Sequence, residues 1–327
     1  MNPNPEEYGG YLPLELPEPA SEYHERFGSM QLRRYNSGRA TFYFAAKQAK
    51  ASRVFLPYFN CPDIDAPFLK LGIKVERYFL DEDLKPRDIT VGPGDLLVWT
   101  NYYGNARQEI IDTVVEVNHG RVIVDNCHAF FSPPASGAFN SYSARKFLGV
   151  SDGAYLLGES LEVPYGVSRD TSYGSISHLA RQIEQGVNSG YPESLANEIR
   201  LLDNYSVMSE FTQRVLSGLD YSIIQEKRVQ NFLRLHSWLG PANNFSVNLS
   251  SQTQMFYPFL HEDSGLRSRL VQKKLYSPTL WSHVIDLVPE SSIEALLSRN
   301  MVLLPIDQRY DLSDMDKIAT MVIGEIE

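Results

Sequence analysis

The chain has 327 residues, of which 43% are hydrophobic, and its 30 basic and 40 acidic side chains give a formal net charge of −10. A chain of this length and apolar content can bury the core of one large domain and of a smaller second one. The acidic balance and the lack of a lysine or arginine block exclude a protein that binds nucleic acid through a basic patch. No apolar run in the sequence reaches the length of a membrane span.

The two cysteines, Cys61 and Cys127, lie far apart and match no metal-binding spacing. In a chain of this size they indicate a reducing compartment and no disulfide framework. The first 19 residues contain neither the basic nor the apolar segment of a secretory signal. We therefore expect a soluble, cytoplasmic protein with no bound metal and no membrane or nucleic-acid partner.

In chain order, residues 1–30 come first, and their proline, glycine and tyrosine content predicts an ordered arm across the surface. Asn36 and Ser37 are good N-cap residues, and the apolar-periodic run after Gly38 predicts a helix that ends at Ala49. Such a helix start presents free backbone N–H groups and the positive end of the helix dipole, which together bind phosphate well. An ordinary capped helix is the alternative interpretation.

Between residues 53 and 126, predicted strands alternate with predicted helices. The strands are expected at 54–59, 74–80, 95–104 and 121–126, and the helices near 63–71 and 107–117. This alternation predicts a parallel, three-layer α/β sheet that binds ligands outside the carboxyl ends of its strands. Three polar clusters follow strands in this way: Pro57–Asn60, Asn101–Gly104 and Asp125–His128.

The segment 121–158 contains the residues on which the functional hypothesis depends. An apolar run ends at Asp125, a short strand follows, and Lys146 lies in a loop of small residues before another strand at 154–157. A pyridoxal phosphate (PLP) site needs a carboxylate partner for the pyridinium nitrogen and an amine that forms a Schiff base with the aldehyde. We therefore hypothesise that Asp125 and Lys146 are these two groups. A strand-end cap and a surface-loop lysine are the alternatives.

Small and apolar residues flank Lys146, whereas most other lysines lie on charged helix faces or surface turns. We expect desolvation to lower the pKa of Lys146, because a Schiff-base lysine must be nucleophilic near neutral pH. The hydroxyls of Ser141 and Ser143 and the guanidinium of Arg145 are candidates to hold the cofactor phosphate, together with the helix start at Ser37.

Two further positions are candidates to contact the cofactor ring. His128, three residues after Asp125, is a candidate to hydrogen-bond the phenolic oxygen or the acid. Tyr58 or Phe59 is a candidate to stack on the pyridine ring. For all three side chains, packing in the interior is the alternative.

The second half of the sequence predicts a different pattern. Residues 163–190 are loop-like, and long amphipathic helices are predicted at 195–216 and 225–239. Further elements are expected as follows: strands at 254–260 and 301–306, helices at 265–274 and 291–298, and a last helix from Ser313, where Ser313 and Asp316 have capping-box spacing. This mixture predicts a smaller α+β domain over residues 211–327, after a large domain over residues 1–210.

Six segments resemble, in order, the DegT/DnrJ/StrS-type aminotransferases of PLP fold type I, which mostly aminate keto groups on nucleotide-linked sugars. These segments are YNSGRATF (35–42), VFLPYFNC (54–61), NYYG (101–104), VDNCHAFF (124–131), SYSARKFLGVSDGAYL (141–156) and LLPIDQRYDLSDMDKI (303–318). The resemblance extends from about residue 8 to the C-terminus and is closest to a short, divergent branch found with surface-polysaccharide genes. It implies a large PLP-binding domain with a smaller C-terminal domain.

The resemblance also implies residue roles. Asp125 corresponds to the acid at the pyridine nitrogen, His128 to the residue at the ring hydroxyl, and Lys146 to the lysine that carries the cofactor. Phosphate-binding positions correspond to Ser37, Gly38, Arg39 and Ser141. The family's ring-stacking position falls at or near Cys61, so that Phe59 or Tyr58 substitutes for it. The family segment that reaches the partner subunit's phosphate corresponds to Asn204–Met208, which lacks the family's arginine and is one residue longer.

By this resemblance the protein is a homodimeric PLP enzyme that moves an amino group from an amino acid, Glu by family habit, to a keto sugar in surface-polysaccharide biosynthesis. Two alternatives stay open. One is another PLP reaction such as sugar dehydration, against which Lys146 argues because the dehydratases usually carry His there. The other is a protein of the same fold that binds a ligand or regulatory partner without turnover. HExxH, paired CxxC, GxSxG, P-loop and post-strand GxGxxG motifs are absent from the sequence.

Overall fold

The computed structural model describes residues 8–186, 189–250 and 253–326, so the first seven residues of the predicted arm lie outside the described residues. The strands are β1 (Gln31–Tyr35), β2 (Arg53–Pro57), β3 (Lys74–Leu80), β4 (Pro86–Arg87), β5 (Asp95–Thr100), β6 (Val122–Asp125), β7 (Phe139–Ser143), β8 (Ala154–Gly158), β9 (Phe256–Leu260) and β10 (Met301–Pro305). The helices are α1 (Gly38–Ala49), α2 (Ala66–Lys70), α3 (Gln108–Val117), α4 (Ser177–Gln185), α5 (Tyr191–Arg200), α6 (Glu210–Ser217), α7 (Tyr221–Leu239), α8 (Leu266–Gln272), α9 (Ile293–Asn300) and α10 (Leu312–Ile326). None of these helices is long and apolar enough to cross a membrane.

Eight strands form one sheet in the order β1-β8-β7-β6-β5-β2-β3-β4. Its centre, from β7 to β3, is parallel, as the alternation of strands and helices predicted. Its edges are antiparallel, because β8 pairs with β7 and β1, and β4 pairs with β3. A parallel connection needs a crossover of about a dozen residues or more, whereas only residues 144–153 separate β7 from β8.

Helices cover both faces of this sheet, which confirms the three-layer α/β class. Val54, Val98 and Ile123 pack with α1 and α2 on one face, and Trp99 and Val124 pack with α3 on the other. Successive side chains of a strand point to opposite faces. Asp125, two residues after Ile123, therefore lies on the α1 face.

A second, smaller core surrounds the antiparallel pair β9 and β10. Helices α7, α8 and α10 supply its remaining apolar side chains, which gives this part the expected α+β character. Helix α7 begins among large-domain residues, with Tyr221 and Ile224, and reaches the second core with Phe232 and Leu235. The boundary between residues 210 and 211 stays a prediction.

The structure corrects three predictions for the second half of the chain: a long helix, a loop-like region and a helix cap. The long helix expected over 195–216 is two helices, α5 and α6. The backbone N–H and the hydroxyl of Ser209 donate to Asp152 of the large domain, which holds Ser209 in place just before α6 begins. The loop-like region 163–190 contains α4. In α10, Asp311 rather than Ser313 accepts a first-turn hydrogen bond, from the N–H of Asp314 at 3.1 Å.

His24 lies among aromatic rings beneath the edge of the sheet, with its ring 4.6, 4.2 and 4.8 Å from those of Phe130, Tyr142 and Tyr155. It is 1% exposed, and burial lowers its pKa to about 3. A histidine in the unfolded chain has a pKa near 6.5. Below that pH, His24 is protonated in the unfolded chain but stays neutral in the folded chain. Stability from this source is complete above about pH 6.5 and is lost as the pH falls toward 3.

We expect the protonation of His24 alone to raise the unfolding equilibrium constant roughly tenfold for each unit by which the pH falls from about 6 to 4. Urea unfolding of wild type and His24→Leu at pH 7, 6, 5 and 4 measures this, because the leucine variant lacks the titrating group and should show a shallower pH dependence. His119→Asn, at an exposed histidine, is the control that should keep the wild-type slope. Equal slopes for wild type and His24→Leu would exclude His24 as the cause.

Candidate active site

Asp125 ends β6 in the middle of the sheet, with Thr100 of β5 and Ser141 of β7 opposite it in the ladder. Its carboxylate is buried; one oxygen accepts the N–H of Cys127 at 3.0 Å, and the other lies 3.4 Å from the Thr100 hydroxyl. Burial raises the pKa of Asp125, and the charge of Lys146 opposes that rise. The carboxylate and the amine are therefore close enough for each to affect the ionisation of the other.

Lys146 is placed by a short 3₁₀ turn, Ala144–Lys146, that follows β7 directly. It lines one wall of a cleft of about 460 Å³. Burial lowers the pKa of its amine, but Cys127, Asp125 and Cys61 raise it, and the net shift is upward. The expectation of a lowered pKa is wrong for this structure, because the sequence did not show that a carboxylate and two thiols would surround the amine.

The start of α1 lies against β7 on the same face as Asp125. Ser37 caps the helix by accepting the N–H of Ala40 at 3.2 Å, and the N–H groups of Gly38 and Arg39 meet no protein acceptor among the described residues. The Thr41 hydroxyl lies 2.5 Å from that of Ser141. The structure thus brings the predicted helix start and Ser141 together, and adds Thr41. Thr41 lies one helical turn after Gly38, and this spacing in the sequence could have identified it as a further residue of the site.

Positive charge is concentrated beside this helix start. Arg145 forms an ion pair with Glu198 of α5, and Arg39 lies 3.8 Å from the same carboxylate. Burial and the nearby Arg39 lower the pKa of Arg145 to about 10, and the Arg39 Nε is buried without a partner in the described chain. Ser143, two residues after Ser141 on the same face, is also buried. One carboxylate shared by two guanidinium groups leaves a surplus of positive charge, which suits an anion.

His128 is buried in the loop after Asp125, with its ring stacked 5.7 Å from that of Trp281. Burial and the charge of Lys146 hold its pKa well below the usual range, so the imidazole is neutral. Its Nδ1 lies 3.4 Å from the backbone N–H of Tyr103 and accepts from it, so Nε2 carries the proton. This Nε2 is buried and has no partner among the described residues, which leaves it available as a donor to a ligand.

The structure does not place Phe59 where a cofactor ring could stack on it. Phe59 is fully buried on the opposite face of the sheet, 4.7 Å from the ring of Trp281 and 5.5 Å from that of Tyr102. Tyr58 packs against Phe79 at 4.6 Å. Cys61 is the residue of this segment that lies near the charges of Lys146 and Asp125. The prediction for Phe59 is therefore corrected: its ring is covered by tertiary contacts that the sequence could not show.

Asn204 contacts the helix start of its own chain. Its backbone carbonyl accepts from the Asn36 side chain at 3.0 Å, and its side-chain oxygen accepts from the Ser206 hydroxyl. Asn36, which sequence reasoning used only as a cap, is fully buried and also donates to Asp170 at 2.9 Å. A role for Asn204 at a partner's phosphate stays a prediction. Among the described residues, no group of three His, Cys, Asp or Glu side chains could hold a metal ion.

Comparisons with known proteins give a likeness in three dimensions but none in sequence. No family model matches the chain, and no curated protein matches it. DesI, solved in the presence of its TDP-sugar product, is 13% identical with a TM-score of 0.64, over 93% of this chain and 83% of its own. A DegT DnrJ EryC1 StrS aminotransferase from Brucella abortus is 13% identical with a TM-score of 0.59, over 92% and 87%. NtdA from Bacillus subtilis, with bound cofactor PMP, is 10% identical with a TM-score of 0.60, over 94% and 78%.

At these identities the likeness establishes the fold. The chain has the architecture of PLP fold type I aminotransferases, as the motif resemblance implied, with the mixed eight-stranded sheet in the large domain. The solved structures that share it include aminotransferases of the DegT/DnrJ/EryC1/StrS group. Activity does not follow from fold alone, so the site residues must supply the argument for function.

Proposed function

We propose that this protein is a PLP-dependent aminotransferase that moves an amino group from an amino acid, with Glu as the first donor to test, to a keto sugar that is nucleotide-linked. One observation carries the proposal: Asp125 at the end of β6 is in register with Ser141 of β7, the strand that leads directly into the Lys146 turn. Ser141 in turn contacts Thr41 at the start of α1. The shared fold with aminotransferases, one solved with its TDP-sugar product, supports the reaction class.

The residues of this site fit the cofactor. The buried His128 Nε2 and Arg39 Nε lack protein partners among the described residues, and the helix start offers backbone N–H groups to a phosphate. Thr41 and Ser141 add hydroxyls beside it. When bound, PLP supplies an electron sink for the carbanion that forms at the α-carbon of an amino acid.

Each side chain has a defined task in this proposal. Lys146 would hold the cofactor and would move a proton between the donor's α-carbon and the cofactor's C4′ carbon. Asp125 would keep the proton on the pyridine nitrogen. His128 would donate from Nε2 to the ring hydroxyl oxygen. Arg39 and the α1 N–H groups would bind the phosphate, for which a helix N-terminus and a guanidinium are suited.

The test is to incubate the purified protein with PLP and Glu and to follow conversion to the pyridoxamine form by absorbance, together with 2-oxoglutarate release. Nucleotide-linked keto sugars are then offered to the aminated form. Conversion with Glu or another amino acid supports the proposal. PLP binding without conversion by any donor would favour a protein that binds a ligand without turnover. We also propose that the reaction takes place in the cytoplasm, because the two distant cysteines indicate a reducing compartment. The motif resemblance supports a role in surface-polysaccharide biosynthesis.

We propose further that the protein is a homodimer, and α5 supports this. Tyr191, Leu195 and Ile199 are 65%, 51% and 62% exposed, and their spacing of four residues places them on one face of the helix. Glu198 of the same helix reaches the cationic group beside the site. An apolar stripe of this kind, joined to a site, is typical of a surface that a second protein covers.

We expect Leu195→Arg to shift the protein from dimer to monomer, because a buried, unpaired charge in an interface costs several kcal/mol, on the order of 3 or more. Light scattering after size exclusion, at a series of protein concentrations, measures the mass. Val117→Arg, at an exposed position of α3, is the matched control and should stay dimeric. An unchanged dimer in Leu195→Arg would rule out this stripe as the interface.

A further inference from the structure

Arg228 of α7 is a buried arginine whose guanidinium binds backbone carbonyls instead of a carboxylate. It is 1% exposed; Nη1 donates to the carbonyl of Gln254 at 3.0 Å, Nη2 to that of Phe147 at 3.2 Å, and Nε to the side-chain oxygen of Gln308 at 3.1 Å. The charge of Asp307 acts on Arg228, but this carboxylate forms its ion pair with Arg309. Three separate segments of the chain therefore meet at one side chain.

One of these segments carries Lys146. Phe147 follows Lys146 directly, and its carbonyl accepts a second hydrogen bond from the side-chain amide of Gln308, at 3.0 Å. The guanidinium carbon of Arg228 also lies 4.7 Å from the centre of the Phe147 ring, within cation–π distance. The residue after the proposed reacting lysine is thus held by two side chains of the second domain.

The other contacts of Arg228 and its neighbour Asn231 reach the loop with His128 and the segment 306–310. Met255, next to Gln254, donates its N–H to the carbonyl of His128 at 3.3 Å. One turn along α7 from Arg228, Asn231 donates to the carbonyls of Ile306 and Tyr310, at 3.3 and 3.1 Å. Arg228 and Asn231 together therefore connect α7 to the Lys146 turn, the His128 loop and the segment 306–310.

A structural role alone does not account for an arginine here. Burial lowers the pKa of Arg228 to about 10, because a guanidinium removed from water loses the hydration that stabilises its charge. An apolar side chain of similar volume at a buried charged position is often neutral or stabilising. A planar guanidinium offers five donors in a fixed geometry, and here those donors reach all three segments at once.

We propose that Arg228 is a positioning residue that couples the second domain to the Lys146 turn and so holds the amine in place opposite Asp125. The identity of Lys146 as the reacting amine rests on the function proposed above, whereas the coupling of the two segments does not. Gln308 acts with Arg228, because both bind the Phe147 carbonyl. A displacement of a reacting group by about 1 Å can cost on the order of 100-fold in rate.

The experiment compares Arg228→Met, Arg228→Lys and Gln308→Leu with wild type. Arg234→Met is the matched control, since Arg234 lies on the same helix but is half-exposed and pairs with Asp316. Hydrogen–deuterium exchange of the purified chain without added cofactor reports on the amides of Phe147, Leu148 and Val150, which bond within the turn. We expect faster exchange there in Arg228→Met and Gln308→Leu, partial recovery in Arg228→Lys, and the wild-type rate in Arg234→Met.

With PLP and Glu, we expect kcat to fall on the order of 100-fold in Arg228→Met. KM for the donor should stay within about twofold because Arg228, although it lines the same cleft as Lys146, is 1% exposed and its donors are occupied by protein acceptors. If Arg228→Met does not fold, Gln308→Leu tests the same coupling, since it removes the second hydrogen bond to the Phe147 carbonyl and keeps Arg228 in the chain. Wild-type exchange at residues 147–150 in both Gln308→Leu and Arg228→Lys overturns the proposal. Faster exchange in the variants of a protein that does not transaminate would uphold the coupling and reject only the proposed function.

Discussion

Lys146→Ala is expected to abolish both covalent cofactor binding and transamination. No other amine is expected to take its place, because Lys146 is the lysine, among the residues that the structure describes, whose charge acts on Asp125. Added PLP should therefore show no band near roughly 400–430 nm, where the lysine-bound cofactor absorbs. Turnover with Glu should fall on the order of 10⁴-fold, since the covalent link and the proton transfer are lost together. Absorbance spectra and 2-oxoglutarate release measure the two effects.

A lysine at the surface controls for the loss of a charge. Lys317, whose side chain is 72% exposed on α10, should tolerate Lys317→Ala with an unchanged spectrum and rate. Reduction with borohydride followed by peptide mass analysis should place the cofactor on the peptide with Lys146 in wild type and in this control. A Lys146→Ala protein that keeps the band would assign the cofactor to another amine and remove the central claim.

Asp125→Asn is expected to leave PLP bound while turnover falls by about 10²–10³-fold. The amide keeps the size of the side chain but carries no charge, so the pyridine nitrogen loses the group that keeps it protonated and the carbanion loses its sink. Retention of the cofactor after gel filtration and the single-turnover rate with Glu separate binding from chemistry.

Thr100→Val is the matched control for Asp125. The Thr100 hydroxyl lies 3.4 Å from the carboxylate, at the limit of a hydrogen bond, so its loss should cost less than about tenfold in rate. A wild-type rate in Asp125→Asn would mean that this acid is only the cap of β6, the interpretation that the sequence left open. Release of PLP from Asp125→Asn would instead assign the acid to cofactor retention.

Several parts of the site could be predicted because their signals are local. An N-cap serine before an apolar-periodic run is enough to predict α1, and the run that ends on Asp125 is enough to predict β6. Parallel strands then bring their carboxyl ends to one edge, so Asp125 and the turn with Lys146 could be expected near each other. The structure has α1 beginning at Gly38 and Ser141 in register with Asp125, as this reasoning requires.

Other features depend on contacts between distant residues. The sequence alone allowed Phe59 to be a ring-stacking residue. In the structure its ring is covered by Trp281, which lies more than two hundred residues later in the chain. The pKa of Lys146 depends on Asp125 and Cys127, which lie at the end of β6, and on Cys61, which follows β2. The break between α5 and α6 depends on Asp152, which is buried in the large domain.

The sequence by itself determined the α/β class, the start of α1 and the end of β6 at Asp125, because strand alternation, helix caps and residue type act over a few neighbouring residues. The pairing of Asp125 with Lys146 in one site stays a prediction. Only the tertiary structure decided which aromatic rings are covered, which charges surround the amine, and that Arg228 ties the second domain to the Lys146 turn. These depend on burial and on distances between segments far apart in the chain, and no local pattern encodes them.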